Sequence, residues 1–161
     1  LSTDDDIREI ANKYQKYPNF LFLGRGLNYP LAMEGALKLK EVSYIHAEGY
    51  AAGEMKHGPI SLIDKSMPVV GIMPSDSLRD KMLSSLNESK ARGARVLAIA
   101  SESDKPVRDI VDDVIWLPDA PSDLNPILAA LPLQLLAYHI ALLRGCDIDQ
   151  PRNLAKSVTV E

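Results

Sequence analysis

A single cysteine, Cys146, is all the thiol that this 161-residue chain carries, so no internal disulfide can staple its fold. That scarcity fits a reducing compartment, and a cytoplasmic location is expected. Cys146 closes an apolar segment just after Gly145, where a buried structural thiol is expected over a reactive one. No run of five basic residues occurs, and 18 Lys and Arg are outnumbered by 22 Asp and Glu. A nucleic-acid surface needs clustered cations to neutralise phosphates, so that class of partner is excluded. No second His or Cys stands at metal-ligand spacing from His57, and neither a metal nor another cofactor is expected. No charged leader precedes a small-residue cleavage site, so no signal peptide is expected. The longest apolar run, residues 126–143, is interrupted by Gln134 and His139 and reads as a buried helix instead of a membrane span. Repeats, low-complexity stretches and internal linkers are missing as well. A chain that opens on Leu1 and not on Met is expected to be either a fragment or a processed piece.

What is present is ordinary for one globular domain: 46% hydrophobic and 25% charged residues, in a length that supports one core. Thr3 followed by Asp4, Asp5 and Asp6 is a helix start, since acids in the first turn suit the macrodipole. Ile7, Ile10, Ala11 and Tyr14 then recur at helical spacing, and Pro18 ends the pattern. Residues 20–24, 69–73, 96–100 and 114–117 are short apolar runs that read as buried strands. Helical patterns follow the first strand, span 78–92 up to Gly93, and return over 126–144. Residues 47–57, rich in Ala and Gly, read as a loop with a short helical turn. Apolar strands alternating with helices predict an α/β three-layer sandwich, a flavodoxin-like parallel sheet flanked by helices. Right-handed crossovers then place the working loops at the carboxyl ends of the strands.

Four places could carry chemistry. Glu34, Lys38 and Glu41 fall at i, i+4 and i+7, on one face of the helix after the first strand. They form either a solvated salt-bridge ladder or a carboxylate base beside an ammonium, an arrangement suited to proton abstraction next to a carbonyl. His57, between Lys56 and Gly58-Pro59, is held in a loop and can titrate near neutral pH; the plain alternative is a helix-ending hydrogen bond. His139 reads as a satisfied core histidine. Gly24-Arg25-Gly26 follows a strand and precedes a helix, but Tyr29 occupies the place of a third glycine and no Gly-Lys-Ser or Gly-Lys-Thr follows. Glycine there serves a tight turn and not a nucleotide. Lys156 lies in a polar tail where composition alone predicts a routine surface lysine.

The runs Glu34-Gly35-Ala36-Leu37-Lys38-Leu39-Lys40-Glu41 and Ala47-Glu48-Gly49-Tyr50-Ala51-Ala52-Gly53-Glu54-Met55-Lys56-His57-Gly58-Pro59-Ile60 resemble the hallmark segments of the sugar isomerase (SIS) domain family. The closing run, from Asp149-Gln150-Pro151-Arg152-Asn153-Leu154-Ala155-Lys156 to Glu161, resembles the end of the glucosamine-6-phosphate synthase family. The resemblance implies a second SIS domain over residues 1–146 and a tail over 147–161 that closes the sugar site. It also implies a preceding SIS half and a glutaminase domain on the same polypeptide. Glutamine-derived ammonia would then convert fructose 6-phosphate to glucosamine 6-phosphate.

By resemblance, Lys156 forms a Schiff base with the open-chain ketone, and Glu41 moves a proton between C1 and C2. Lys38 orients the sugar and steadies developing negative charge. His57 assists ring opening from the neighbouring subunit, which implies a homodimer. Ala155 contacts the sugar through its backbone, Glu34 belongs to the sugar site, and Arg152 helps the tail close over it. One departure stands out. Where many SIS domains carry a Ser/Thr-rich phosphate loop, this chain reads Pro74-Ser75-Asp76-Ser77-Leu78-Arg79-Asp80, whose acids repel a phosphate dianion. The phosphate is therefore expected on the first half. A non-catalytic sugar-phosphate-binding SIS module, or a purely structural dimerisation domain, is the rival reading; neither needs Lys38, Glu41, His57 and Lys156 together.

Overall fold

The structure, a computed structural model, describes residues 2–153. Helix α1 (Asp4–Tyr14) begins on a capping box. The Thr3 hydroxyl accepts the Asp6 amide, while the Asp6 carboxylate accepts the Thr3 amide at 2.7 Å. Strand β1 (Asn19–Gly24) leads through a tight turn into α2 (Tyr29–Ser43). That turn needs glycine: a Cβ on Gly24 would sit 2.1 Å from the Asn28 carbonyl oxygen, and Gly26 adopts φ +54°.

Strand β2 (His46–Ala51) follows, then short 3-10 turns at Met55–His57 and Pro59–Leu62. Strand β3 (Val69–Met73), helix α3 (Arg79–Lys90), strand β4 (Val96–Ser101), strand β5 (Asp113–Leu117) and helix α4 (Asn125–Leu143) complete the domain.

All five strands are parallel, in the order β2-β1-β3-β4-β5, with Phe22 opposite Gly49 on one side and Val70 on the other. Alternation along β1 divides the core. Phe20 and Phe22 join Val70, Ile72, Leu97 and Ile99 beneath α1, α2 and α4. Leu21 and Leu23 join Met73, Ala98, Met82 and Leu86 beneath α3, with Met55 and Ile63 from the connection after β2. This is the expected three-layer sandwich. The apolar helix α4 is a core helix, burying Ala129, Leu133, Leu136, Ala137 and Ile140 against its neighbours.

Two expectations are corrected. Residues 47–57 were expected as a loop, yet 46–51 form edge strand β2. Its alternate residues Ala47, Gly49 and Ala51 are too small to look like an apolar strand because α2 lies directly on it: a Cβ on Gly49 would meet the Met33 Cα at 2.5 Å. Cys146, expected to be buried, is half-buried, with Sγ 3.9 Å from the Ser43 carbonyl oxygen. His139 fits its expectation as a core histidine: it is 6% exposed, and Nε2 lies 2.7 Å from Asp4 Oδ1.

Candidate active site on helix α2

A crossover helix between parallel strands must run back against them, so the last turns of α2 approach the amino ends of the strands. Glu41 lies in that final stretch and Lys38 one turn earlier. The acid and ammonium groups therefore lie along the flank of α2, as their spacing predicts, and away from the carboxyl-end loops.

The expected shared face is present. Lys38 Nζ donates to Glu41 Oε2 at 2.5 Å, with both side chains about one-third exposed or less (32% and 26%). The hydrogen bond to Glu41 holds the Lys38 ammonium above the ordinary lysine range, and the Glu34 charge adds to that shift. Lys38 therefore keeps its charge throughout neutral pH. By linkage, its contribution is complete below the ordinary lysine range and is lost as pH rises through the raised value. An assured cation beside a carboxylate is the pairing that can steady an oxyanion while a proton leaves the adjacent carbon.

His57 stands apart. It ends the 3-10 turn after β2, its side chain is 73% exposed, and its Nδ1 lies 2.7 Å from Glu54 Oε2. Among the described residues, no hydrogen bond or ion pair joins His57 to Glu34, Lys38 or Glu41. Arg152 is stacked on Tyr44, its guanidinium 4.2 Å from the ring centroid. Lys156 and Ala155 lie outside the described residues.

At the other end of the sheet, the loop after β3 is filled by its own acids. Asp76 accepts the Leu78 amide at 2.7 Å and the Asn28 side-chain amide at 3.1 Å. Arg79 donates from Nε and Nη2 to Asp104, both at 2.7 Å, and from Nη1 to Asp80 at 2.8 Å. The amides and the guanidinium that a phosphate would seek are already neutralised. Sequence reasoning named the repelling acids but missed Asn28. It is 4% exposed, and its Oδ1 has no hydrogen-bond partner among the described residues.

Comparison with known proteins places this geometry. A family model described as SIS domain matches residues 13–144. Glutamine–fructose-6-phosphate aminotransferase [isomerizing] of Chlorobaculum tepidum is 57% identical over the whole chain, which covers 26% of that protein. The same-named protein of Synechocystis is 56% identical over 96% of the chain, covering 25% of its own length. The chain thus spans about a quarter of the length of the curated relatives it matches. Among solved structures, the C-terminal domain of glucosamine-fructose-6-phosphate aminotransferase from Francisella tularensis superposes with a TM-score of 0.84 at 46% identity, over 91% of this chain and 42% of that one. Glucosamine-6-phosphate deaminase from Thermotoga maritima gives 0.76 at 27% identity, over 98% and 46%. With a family model matched across most of its length and relatives more than half identical along all of it, the chain belongs to the SIS domain family.

Proposed function

We propose that this chain is the second isomerase half of a glutamine–fructose-6-phosphate aminotransferase, working with a first SIS half and a glutaminase domain on the same polypeptide. The observation that carries the reading is the Glu34–Lys38–Glu41 face of α2, with Lys38 Nζ 2.5 Å from Glu41 Oε2. It sits in a chain 57% identical, end to end, to a relative of that name. The Lys156 amine attacks the C2 ketone of open-chain fructose 6-phosphate, and water leaves as the Schiff base forms. Ammonia released from glutamine then adds to C2 of that imine and expels the Lys156 amine, so that the ammonia nitrogen stays on C2. Glu41 takes the proton from C1 and returns it at C2, while Lys38 faces the oxygen on which negative charge develops. Residues 147–161 act as a tail over the sugar, with Ala155 and Arg152 contributing to closure.

His57 acts in the site of a neighbouring subunit in this reading. Its exposure and its separation from the α2 residues support that arrangement. A bare sensor module needs a phosphate grip above all, and the acid-filled loop after β3 speaks against it.

Two experiments on the full-length protein test these assignments. Borohydride with fructose 6-phosphate is expected to leave a reduced adduct on Lys156, and Glu41→Gln to stop isomerisation while glutamine hydrolysis continues. An adduct on another lysine, or undiminished isomerisation in Glu41→Gln, removes the corresponding role. Mixing inactive His57→Ala and Lys156→Ala proteins under conditions of subunit exchange is expected to restore activity, because one site of the mixed dimer is intact. No restoration places His57 and Lys156 of one subunit in the same site.

A further inference from the structure

Arg25, in the tight turn between β1 and α2, has no part in the chemistry above. It is a half-buried cation. Its guanidinium makes one hydrogen bond among the described residues, from Nη2 to Ser85 Oγ at 3.1 Å, and pairs with no carboxylate there. Its Nε is buried and finds no hydrogen-bond partner among the described residues. An unpaired charge with an unmade donor costs stability, so the stability of the fold does not account for an arginine at this place.

The guanidinium lies at the start of the turn that ends on His57. The Ala52 amide donates to the Gly24 carbonyl at 2.9 Å, which sets the end of β2 against the residue before Arg25. Ser85 Oγ, which accepts from Arg25, lies 3.5 Å from the Ala52 carbonyl oxygen and 3.2 Å from that of Lys81. Gly53 comes so close that a Cβ there would stand 3.4 Å from Arg25 Nη1. Further along, the turn is fastened to the same face of α3, where Ser85, Glu88 and Ser89 are neighbours at i, i+3 and i+4. Met55 is 1% exposed and takes the Ser89 hydroxyl on Sδ at 3.4 Å, while Lys56 Nζ lies 2.9 Å from Glu88 Oε1. The His57 amide then donates to the Glu54 carbonyl at 3.0 Å. His57 is an exposed imidazole on an anchored base, and Arg25 stands at the first point of that base.

We propose that Arg25 is a positioning residue for His57. Its guanidinium fixes residues 52–53 between the β1–α2 turn and α3, so that the imidazole is presented at one place to the sugar ring that it opens. The inference deepens the proposed function and rests on the assignment of His57 to ring opening.

The other anchors do not do the same. Lys56 and Glu88 form a largely exposed ion pair, which restrains little. Met55 holds the turn at one buried point, and a single point leaves the turn free to pivot. Arg25 supplies the second point, because its fork of donors reaches Ser85 with one arm and lies against Gly53 with the other. A displacement of about 1 Å in a catalytic group can lower a rate by about 100-fold, so a pivot at the base matters at the imidazole.

The test uses the full-length protein and a substrate with no ring to open. 5-Deoxyfructose 6-phosphate lacks the hydroxyl that closes the furanose, and its O6 is taken by phosphate, so it stays open-chain. Arg25→Met keeps the apolar stem and removes the guanidinium. Its kcat/KM for amination of fructose 6-phosphate is expected to fall about tenfold or more. With the open-chain sugar, its kcat/KM is expected to stay within about twofold of the parent value. Its thermal midpoint is expected to match or exceed that of the parent, since the unpaired donor is gone. Ser85→Ala removes the link to Ala52 and should show the same selectivity to a smaller degree; it carries the test by itself if Arg25→Met does not fold. Equal losses on the two sugars mark a structural role and overturn the proposal, as does an undiminished rate on fructose 6-phosphate. His57→Ala is the reference and should show the selective loss in full. Equal losses in His57→Ala are a different failure: they remove ring opening from His57, and the positioning role falls with it.

Discussion

Asp113, the first residue of β5, gathers three donor residues from two distant parts of the chain, α1 and the approach to β4. Lys13 Nζ lies 2.9 Å from Oδ1, while Tyr14 Oη at 3.0 Å and the Arg95 Nε and Nη2 atoms at 2.9 and 2.8 Å converge on Oδ2. Its side chain is 6% exposed, and it pins α1 and the approach to β4 onto the sheet edge. Burial pushes the Tyr14 phenol far above its usual range, and the Asp113 charge adds to that, so Tyr14 remains a protonated donor at any working pH. Asp113→Ala is expected to destabilise the domain by about 2 kcal/mol, because Lys13 and Arg95 can return partly to water while the buried Tyr14 hydroxyl cannot. Urea denaturation measures it; a loss below about 0.5 kcal/mol, the range of an ordinary surface substitution, would remove this cluster from the stability of the fold. Nothing in the sequence marked Asp113, since partners roughly 20 to 100 positions away have no local pattern. Tyr44 was equally silent: it caps α2 at φ 60°, and a left-handed tyrosine is invisible to reasoning that expects glycine there.

At the scale of elements, the four apolar strands and four helices were legible because burial on both faces of a parallel sheet demands continuous apolar runs. β2 was not legible, for the opposite reason. It is an edge strand whose alternate residues Ala47, Gly49 and Ala51 are small and whose others are polar or aromatic, and its identity comes from the helix pressed on it. Gly49 is the point of contact, and an added Cβ there meets backbone of Met33 and Ala32 at 2.5 to 2.7 Å. Backbone cannot step aside, so Gly49→Ala must push β2 away from α2, the helix that carries Lys38 and Glu41. A cost of about 1–3 kcal/mol is expected, with impaired isomerisation as a second readout. Gly71→Ala makes the control: the three atoms nearest its Cβ, at 2.6 to 3.1 Å, all belong to the Leu86 side chain, which can change rotamer. Equal melting temperatures for Gly49→Ala and the parent protein would show that β2 and α2 are not locked in this way. The Glu34–Lys38–Glu41 spacing was correct, but a crossover helix carries its final turns away from the carboxyl ends of the strands.

For the whole molecule, that reversal has a consequence for the substrate. Asn28 and Asp76 mark the carboxyl-end crevice beside β1 and β3, where open parallel sheets commonly bind ligands. Glu41 lies roughly 20 Å along α2 from Asn28, at about 1.5 Å per residue. A six-carbon sugar phosphate, built from bonds of about 1.5 Å, extends roughly 8 Å between its first carbon and its phosphorus. One such molecule cannot place its phosphate in the crevice and its reacting carbons at Glu41. The crevice also holds its own anion, because Asp76 takes the Leu78 amide and the Asn28 side chain. In the function proposed above, distance and charge both argue for a phosphate held elsewhere, on the first half. The 161-residue chain alone is accordingly expected to bind inorganic phosphate and fructose 6-phosphate weakly, with dissociation constants of about 1 mM or weaker by calorimetry. Asp76→Ser removes the internal anion but not the distance. It is expected to improve phosphate binding without creating turnover in the isolated chain. Micromolar binding of fructose 6-phosphate by the unaltered chain would place the grip within this half and overturn the division of labour.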